Sequence, residues 1–488
     1  MLPPLNNSYQ VLPQILFEQV DPVRVKSPRL IAFNHSLAEE LALKVDELNP
    51  TDLSALLSGN HRWPGSEPIA LAYAGHQFGG FSARLGDGRA HLLGELRAKD
   101  GVTYDLQLKG SGRTPYSRGG DGRAALGPVL REYLVSEAMH VLGVPTTRAL
   151  AAVATGEPVF RERTLPGAVL TRVAKSHLRV GSFEFLASQS EHEVLSQLVD
   201  YALERLYPHA DRHMPAPLRL LDSVIESQAF LIAQWMGLGF IHGVMNTDNC
   251  AISGQTIDYG PCAFMDSFDP SRKFSSIDRG GRYAFNQQPN IAQWNLARLA
   301  ESLLPLVDAD ESEAVKKASE LLHQFPRRYE RHFGEMCARK LGLGHQVEHA
   351  AALITELLTL MHAAQADFTL TFRGLYELCK GGGPTPIATL LGGTPEVTQW
   401  IDKFKRAFDD EASPASERLL SMKRANPLYV PRNHRVEEAI AAAEAGDEGP
   451  FFRLHEVLKN PWEEQEGAFD LAEAPGDEQW GYKTFCGT

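Results

Sequence analysis

The sequence predicts an α+β protein of two lobes, with a small β-rich N-terminal lobe that contains one key helix and a large helical C-terminal lobe. Two observations support this prediction. Between about residues 68 and 180, short alternating runs separated by glycine-rich turns surround a single helical segment. After about residue 190, apolar residues recur at helical spacing over most of the remaining chain.

This pattern divides the 488 residues into four parts. We expect an N-terminal extension over residues 1–60, an N-lobe with a hinge over 61–185, a helical C-lobe over 186–460 and an acidic tail over 461–488. The extension contains one expected helix, Leu37 to Leu43.

Composition narrows the class of protein and its partners. Charged residues make up 22% and hydrophobic residues 43%, which is typical of a globular protein. The formal net charge of −13 argues against a nucleic-acid-binding surface. The N-terminus has no signal or transit pattern, and the most apolar stretch, residues 229–242, is too short to span a membrane. With five scattered cysteines, these features favour the cytoplasm.

A glycine-rich turn and a lysine mark the N-lobe. Residues 85–89 (LGDGR) lie between extended runs, and the alternating run YDLQLKG ends near Lys109. Such a glycine-rich segment is often a plain β-turn that binds no ligand. Followed by a strand that ends in lysine, it also fits a phosphate site, where backbone N–H groups and a point charge contact a nucleotide.

The next segment, residues 110–127, places Arg113, Arg118 and Arg123 among six glycines. It fits either a flexible surface loop or a loop that holds polyphosphate through guanidinium groups. A second arginine pair, Arg172 and Arg179, lies at the expected hinge. These two side chains either face solvent or point into a cleft between the lobes.

The key helix is expected from Pro128 to about Leu142. Its apolar stripe contains Glu137, whereas Glu132 lies nearly opposite. A carboxylate on a core face needs a partner, for which Lys109 is the obvious candidate. Periodicity therefore favours a Lys109–Glu137 pair, and Glu132 remains the alternative.

The most informative stretch is residues 241–260, IHGVMNTDNCAISGQTIDYG, which follows a long apolar helical segment. Protein kinases carry H-R-D-x-x-x-x-N, a short hairpin and then D-F-G. Aligned with that pattern, His242 takes the place of the histidine, Asn249 that of the asparagine and Asp258 that of the DFG aspartate. A chance arrangement of a buried histidine and a turn is the alternative. The ordered set favours a protein-kinase-like fold with a Mg²⁺ and nucleotide site.

One position departs from the kinase pattern. The catalytic aspartate of kinases falls on Val244, and a valine cannot accept a proton from a substrate hydroxyl. Asp248 lies beside the expected metal ligand Asn249 and could take over this role. We therefore expect chemistry other than ordinary γ-phosphoryl transfer.

Several long strings, taken together, resemble the selenoprotein O (SelO) family of pseudokinases over nearly the full length of the chain. They are LGDGR (85–89), LQLKGSGRTPYSRGGDGRAALG (106–127), REYLVSEAMHVLGVPTTRAL (131–150), the segment with Arg172 and Arg179, and HGVMNTDN…DYGP (242–261).

The resemblance implies a kinase-like fold that binds ATP in a flipped orientation and transfers AMP to Ser, Thr or Tyr hydroxyls of protein substrates. By the same resemblance, Asp248 would accept the proton, and Asn249 and Asp258 would hold Mg²⁺, with Mn²⁺ as the alternative ion. The implied nucleotide contacts are Gly86, Gly88, Arg89, Lys109, Asp121, Gly122, Arg172, Arg179 and Asp258. Family members often carry a selenocysteine or cysteine near the C-terminus, which Cys486 matches in position.

Two other functions remain as alternatives: a phosphotransferase with a displaced base, against which Val244 argues, and a non-catalytic nucleotide-binding pseudokinase. We expect the protein to act as a monomer, without nucleic-acid or membrane partners.

Overall fold

The computed structural model describes residues 2–45 and 47–476, and the α+β prediction is confirmed within them. Cys486 and the end of the predicted acidic tail lie outside this range. The strands β1–β12 are, in order, Phe17–Gln19, Arg29–Phe33, Ile69–Leu71, Gly75–Gln77, Gly80–Ser82, Ala90–Arg97, Thr103–Lys109, Ala124–Ala125, Arg148–Phe160, Thr164–Ala174, Phe240–Ile241 and Ala263–Phe264.

One antiparallel sheet of eight strands forms the N-terminal part of the molecule. Its strand order is β1-β3-β6-β7-β10-β9-β2, and β8 pairs with β10 off this path. β1 and β2 come from the first 60 residues, so the predicted extension contributes two edge strands to the sheet. Two small pairs, β4–β5 and β11–β12, stand outside the sheet and lie next to the candidate site.

The helices α1–α16 are, in order, His35–Glu40, Pro50–Leu57, Leu126–Val141, Val180–Ser188, His192–Leu206, Ala216–Leu238, Gln288–Val307, Glu311–Leu322, Phe325–Leu341, Val347–Ala364, Phe368–Cys379, Thr385–Leu390, Pro395–Asp409, Ala415–Ala425, Asn433–Glu444 and Gly449–Leu458. Within the described residues, none of them combines the length and the apolarity needed to cross a bilayer.

The helix α3 is the predicted key helix, and it is buried on nearly all sides. One face packs on β9 and β10, and the helices α15 and α16 cover it through Phe451, Ile440 and Val436. The C-terminal helices therefore hold α3 against the sheet. This packing fixes the position of the carboxylates that α3 presents to the site.

The helix α6 carries the chain to the loop that the sequence singles out. It ends at Gly239, whose φ of +70° makes the left-handed C-terminal cap that non-glycine residues rarely adopt. The strand β11 follows and pairs with β12, so that residues 242–262 form a loop closed at its base by two short strands. The sequence between Asn249 and Asp258 predicts a short hairpin with its turn at Ser253–Gly254. The turn is present, but its flanks pair elsewhere, Ala251 with Arg179 and Thr256 with Thr146.

Candidate active site

Lys109, the last residue of β7, pairs with Glu132 of α3. Its Nζ donates a hydrogen bond to Glu132 Oε2 at 2.6 Å. The preference for Glu137 from periodicity was wrong. Glu137 instead accepts hydrogen bonds from the guanidinium of Arg148, at 2.8 Å to Nη2. Both carboxylates of α3 are buried, so the apolar stripe could not show which of them faces Lys109.

Asp258 is surrounded by positive charge. Its Oδ1 accepts hydrogen bonds from Lys109 Nζ and Arg172 Nη1, both at 2.7 Å, and its Oδ2 accepts one from Arg179 Nη1 at 2.6 Å. Burial acts to raise the pKa of this carboxyl, but the three cations outweigh burial and hold the pKa well below its usual range. Asp258 is therefore a permanent anion at the centre of a cationic cluster.

The arginines of this cluster have fixed orientations. Gln107 Oε1 accepts hydrogen bonds from Nε and Nη2 of Arg172, which leaves Nη1 directed at Asp258 and Glu132. Arg179 lies over the ring of Tyr73, with 4.8 Å between its Cζ and the ring centroid. Both arginines are buried and line one cavity with Asp258, so they do not face solvent. They are the groups that could bind phosphate oxygens there.

Asp248 lies in the same cavity, and among the described residues no cationic side chain donates a hydrogen bond to its carboxylate. Arg179 donates instead to the backbone oxygen of Asp248, at 2.6 Å. Gln77 Nε2 donates a hydrogen bond to Asp248 Oδ2 at 3.0 Å, and Oδ1 is buried without a hydrogen-bond partner in the described structure. Burial raises the pKa of the Asp248 carboxyl to about 6. A carboxylate with a pKa close to neutrality is suited to accept a proton in catalysis.

Val244 and Asn249 line the same cavity as Asp248. Val244 lines the cavity with an aliphatic side chain, and its backbone oxygen accepts a hydrogen bond from Asn249 Nδ2 at 3.0 Å. The amide nitrogen of Asn249 is thereby engaged, so its carboxamide oxygen is the atom suited to a cation. His242 is buried and donates from Nε2 to the backbone oxygen of Ile257, which makes it a structural residue of the loop.

The glycine-rich turn approaches the cavity closely. Gly86 has a φ of +76°, and a Cβ at this position would lie 2.3 Å from the ring of Tyr116. Only glycine fits there, so the turn packs tightly against the 110–127 segment. Gly86, Gly88 and Arg89 all line the cavity.

The 110–127 segment forms the outer wall of the cavity. Asp121 accepts hydrogen bonds from Arg161, at 2.9 Å to Nη1, which hold the pKa of its carboxyl below the usual range. Gly122 and Arg118 line the cavity beside it. Asp121 is exposed, whereas Lys109 is half-buried and Arg172 and Arg179 are buried.

The structure brings all the predicted site residues to one cavity of about 550 Å³. Those residues are Gly86, Gly88, Arg89, Lys109, Asp121, Gly122, Arg172, Arg179, Asp248, Asn249 and Asp258. A larger cavity of about 940 Å³ lies against α5, α6 and α9. Two of its arginines form ion pairs, Arg328 with Asp222 and Arg331 with Glu226, and none of the predicted site residues lines it. We therefore assign the chemistry to the smaller cavity.

The sequence interpretation missed the hairpin β4–β5 as part of the site. His76 donates its backbone N–H to Thr247 Oγ1 at 2.6 Å, Gln77 contacts Asp248, and Phe78 donates its backbone N–H to Asn246 Oδ1 at 3.1 Å. The hairpin thus contacts three consecutive residues of the loop. The string GHQFGG, with polar side chains between glycines, was the available signal.

The donor set suits a divalent metal bound together with phosphate. Asn249 and Asp258 offer the hard oxygen atoms that Mg²⁺ prefers, and Mg²⁺ is commonly held by one or two protein groups plus substrate phosphates. Among the described residues, no group of three or more His, Cys, Asp or Glu side chains could hold a metal without such help. A metal here would therefore depend on the nucleotide.

Comparison with known proteins agrees with this chemistry. A family model described as "Protein adenylyltransferase SelO" matches residues 5–459. Proteins named "Protein nucleotidyltransferase YdiU" are 52% identical in Methylorubrum populi, 51% in Bradyrhizobium sp. and 50% in Rhizobium johnstonii. Each alignment covers 99% of this chain and at least 97% of the relative. The chain belongs to the SelO family of protein adenylyltransferases.

Proposed function

We propose that this protein transfers AMP from ATP to Ser, Thr or Tyr hydroxyls of protein substrates and releases pyrophosphate. The observation that carries the proposal is the pairing of two different carboxylates in one cavity. Asp258 lies among three buried or half-buried cations, whereas Asp248 lies beside a valine with its pKa raised to about 6.

The cations indicate how the nucleotide enters. Lys109, Arg172 and Arg179 line the cavity as half-buried or buried groups, and their positive charges suit the β- and γ-phosphates. With the triphosphate tail directed inwards, the α-phosphate lies nearer the mouth, on the side where a protein substrate approaches. Gly86, Gly88 and Arg89 of the glycine-rich turn then contact the nucleoside end, together with Asp121 and Gly122. This orientation is the reverse of that in ordinary kinases.

The reaction follows from this orientation. The hydroxyl oxygen of the acceptor attacks the α-phosphorus, and its proton passes to Asp248. The new bond joins the acceptor oxygen to the α-phosphorus, and the bond between the α-phosphorus and the bridging oxygen to the β-phosphate breaks. Pyrophosphate leaves with its negative charge stabilised by Lys109, Arg172 and Arg179. Gln77 keeps the Asp248 carboxylate oriented through the hydrogen bond to Oδ2.

Asn249 and Asp258 would hold the divalent ion, Mg²⁺ or alternatively Mn²⁺. When bound, that ion neutralises phosphate charge and polarises phosphate oxygens. The phosphates, once bound, compete with Asp258 for Lys109 and the two arginines. The carboxylate of Asp258 would then be available to hold the ion.

We further propose that the architecture is protein-kinase-like, with the nucleotide between a small lobe and a large helical lobe. Three features support this: the sheet with α3, the Lys109–Glu132 pair and the loop that carries Asn249 and Asp258. The proposed parts are an extension over 1–60, the nucleotide-binding lobe and hinge over 61–185, the helical lobe over 186–460 and a tail over 461–488. We propose a cytoplasmic monomer.

Two labelled forms of ATP test the proposed function. The protein is incubated with a bacterial cell extract and ATP that carries radioactive phosphorus at either the α or the γ position. We expect label on protein only from the α position, and none with Asp258→Ala. Label only from the γ position would show a kinase. Labelling by Asp258→Ala at the wild-type level would contradict both enzymatic functions.

A further inference from the structure

Three large apolar side chains are exposed around the mouth of the cavity. Phe78 is 37% exposed, Phe81 47% and Ile277 63%. Phe78 and Ile277 line the same cavity as Asp248, although they come from segments far apart in the chain. Exposed apolar groups gathered beside a catalytic group are typical of a surface that binds another molecule.

Phe78 is held in place by the loop that carries Asp248. Its backbone N–H donates to Asn246 Oδ1 at 3.1 Å and to the Tyr283 hydroxyl at 3.2 Å. Its φ of +51° lies in the left-handed region, which is costly for a non-glycine residue and is maintained only where the surroundings fix it. These contacts therefore hold Phe78 in its exposed position at the hairpin tip.

The same mouth is positively charged, in contrast to the whole chain. Residues 270–284 contain four basic side chains and one acidic side chain, in a protein with a net charge of −13. The acid, Asp278, is buried and accepts hydrogen bonds from the backbone N–H groups of Arg282 and Tyr283. It is therefore directed into its own loop, and the basic groups dominate the outer surface.

Two of these basic groups flank the apolar residues. Arg279 is exposed. Arg282 lies over the ring of Trp294, with 4.6 Å between its Cζ and the ring centroid, and its Cζ would be 3.7 Å from a Cβ at Gly79 in the hairpin tip. The loop 270–284 and the hairpin β4–β5 therefore form one continuous surface beside Asp248.

We propose that this surface binds the polypeptide on either side of the acceptor hydroxyl and selects an acceptor with an apolar neighbour and acidic residues around it. We call it the acceptor lip and define it by Phe78, Phe81, Ile277, Arg279 and Arg282. The assignment rests on the proposed transfer of AMP to protein hydroxyls. The apolar neighbour packs on Phe78 and Ile277, and the acidic residues pair with Arg279 and Arg282.

Charge and apolar area have separate roles in this surface. Each exposed ion pair contributes little affinity and is screened by salt. Arg279 and Arg282 therefore affect mainly which acceptors bind and how fast they associate. The apolar contact supplies affinity that salt does not weaken. Basic acceptors are excluded because their charges would meet Arg279 and Arg282.

Short synthetic peptides test the proposal. Each carries one hydroxyl residue between two phenylalanines, with glutamates outside them in one set and lysines in the other, and both sets include serine, threonine and tyrosine. At low salt we expect kcat/KM for AMP transfer to be roughly tenfold higher for the glutamate set, with the ratio falling as salt is added.

Two variants identify the lip residues. Arg279→Glu should lower kcat/KM for the glutamate peptides roughly tenfold and raise it for the lysine peptides, with the KM for ATP unchanged. Phe78→Asn should raise the peptide KM several-fold at any salt concentration, since asparagine tolerates the left-handed backbone but removes the apolar contact. Matched controls are Arg406→Glu, an exposed arginine on α13, and Phe452→Asn, a phenylalanine 38% exposed on α16. Both should behave as wild type.

The outcomes separate this proposal from the proposed function. If the wild type labels neither the peptides nor any protein in a cell extract from α-labelled ATP, the proposed function fails. Labelling of extract proteins together with equal use of both peptide sets, or of neither, overturns the acceptor lip and leaves the proposed function standing. A change in the molecular mass of the protein in solution on Arg279→Glu would show instead that the surface joins two copies of this chain, which also overturns the proposal.

Discussion

Asp248 and Asp258 lie on one loop and line one cavity, yet their surroundings are opposite in character. Asp258 receives hydrogen bonds from Lys109, Arg172 and Arg179, and these cations hold its pKa well below the usual range. Asp248 receives one side-chain hydrogen bond, from Gln77, and burial raises its pKa to about 6. Two carboxylates whose pKa values are driven apart by their surroundings are suited to different tasks.

Within the proposed function, this difference would let one loop both hold a metal through Asp258 and supply a proton acceptor in Asp248. The anion that meets the metal and phosphates needs strong positive surroundings, and Asp258 has them. The group that takes a proton needs few cations near it, because cations would lower its basicity. Val244 stands where the kinase pattern has its acid, and Asp248 offers a buried carboxylate whose one side-chain hydrogen bond in the described structure comes from the neutral Gln77.

The largest expected effect comes from replacing each aspartate in turn. Asp258→Asn and Asp248→Asn should each lower the rate of AMP transfer on the order of 10²–10³-fold. Only Asp258→Asn should weaken the binding of ATP with its metal, because Asp248 acts on the acceptor. Single-turnover transfer and equilibrium ATP binding measure the two effects separately. Wild-type transfer by Asp248→Asn would show that another group accepts the proton.

A second pair of variants tests the cationic side of the comparison. Glu132→Gln should lower kcat/KM for ATP about 10–100-fold, because Lys109 and Arg172 lose the carboxylate that orients them. Glu137→Gln should leave kcat/KM unchanged but lower the free energy of unfolding by about 3 kcal/mol, since Arg148 loses its closest buried partner. Kinetics and denaturant unfolding check both variants. If Glu137→Gln lowered kcat/KM instead and Glu132→Gln lowered only the stability, Glu137 would be the partner of Lys109.

The smallest expected effect on rate comes from replacing Gln77, which contacts Asp248. Gln77→Leu should lower kcat roughly tenfold with ATP affinity unchanged, because Asp248 loses the hydrogen bond that orients it. If Gln77 acts through Asp248, adding Gln77→Leu to Asp248→Asn should cause no further loss. Ser82→Ala, opposite Gly75 in the same hairpin, is the control. If the losses of the two single variants added fully in the double variant, Gln77 would act independently of Asp248.

Much of the fold followed from local signals. The helix α13 begins at a typical start signal, a threonine followed by a proline, and Thr394 accepts the backbone N–H of Val397. The predicted key helix appears as α3, two residues earlier at its start. The short edge strands β1 and β2 were not predicted, because strands of three and five residues carry too little alternation to be recognised.

The sequence indicated which residues line the site better than it indicated which of them contact one another. The order of His242, Asn249 and Asp258 follows a known spacing, so the sequence could indicate these residues. The partner of Lys109 could not be derived, because α3 is buried on nearly all sides and each of its carboxylates meets a different cation. The contact between Gln77 and Asp248 joins residues 171 positions apart, and no local pattern encodes such a contact.

The central claim, that the two aspartates occupy opposite environments, is tested most directly by the free energies of unfolding of Asp248→Asn and Asp258→Asn without nucleotide and with a metal chelator. A folded pKa of about 6 against an ordinary value of 3.8 means that ionised Asp248 costs stability, up to about 3 kcal/mol at neutral pH, and this cost disappears as pH falls from about 7 to 4. Asp248→Asn should therefore be more stable than wild type at pH 8, and this advantage should shrink with decreasing pH.

Asp258→Asn should behave in the opposite way in the same measurement. Because the folded pKa of Asp258 lies below the usual range, its stabilising contribution persists across this window. Removing its charge leaves Glu132, among the described residues, as the one close counter-ion shared by Lys109 and Arg172, and it takes the closest counter-ion from Arg179. We predict a variant less stable than wild type by about 3 kcal/mol at every pH between 5 and 8. A change of the same sign in both variants at pH 8 would contradict the account.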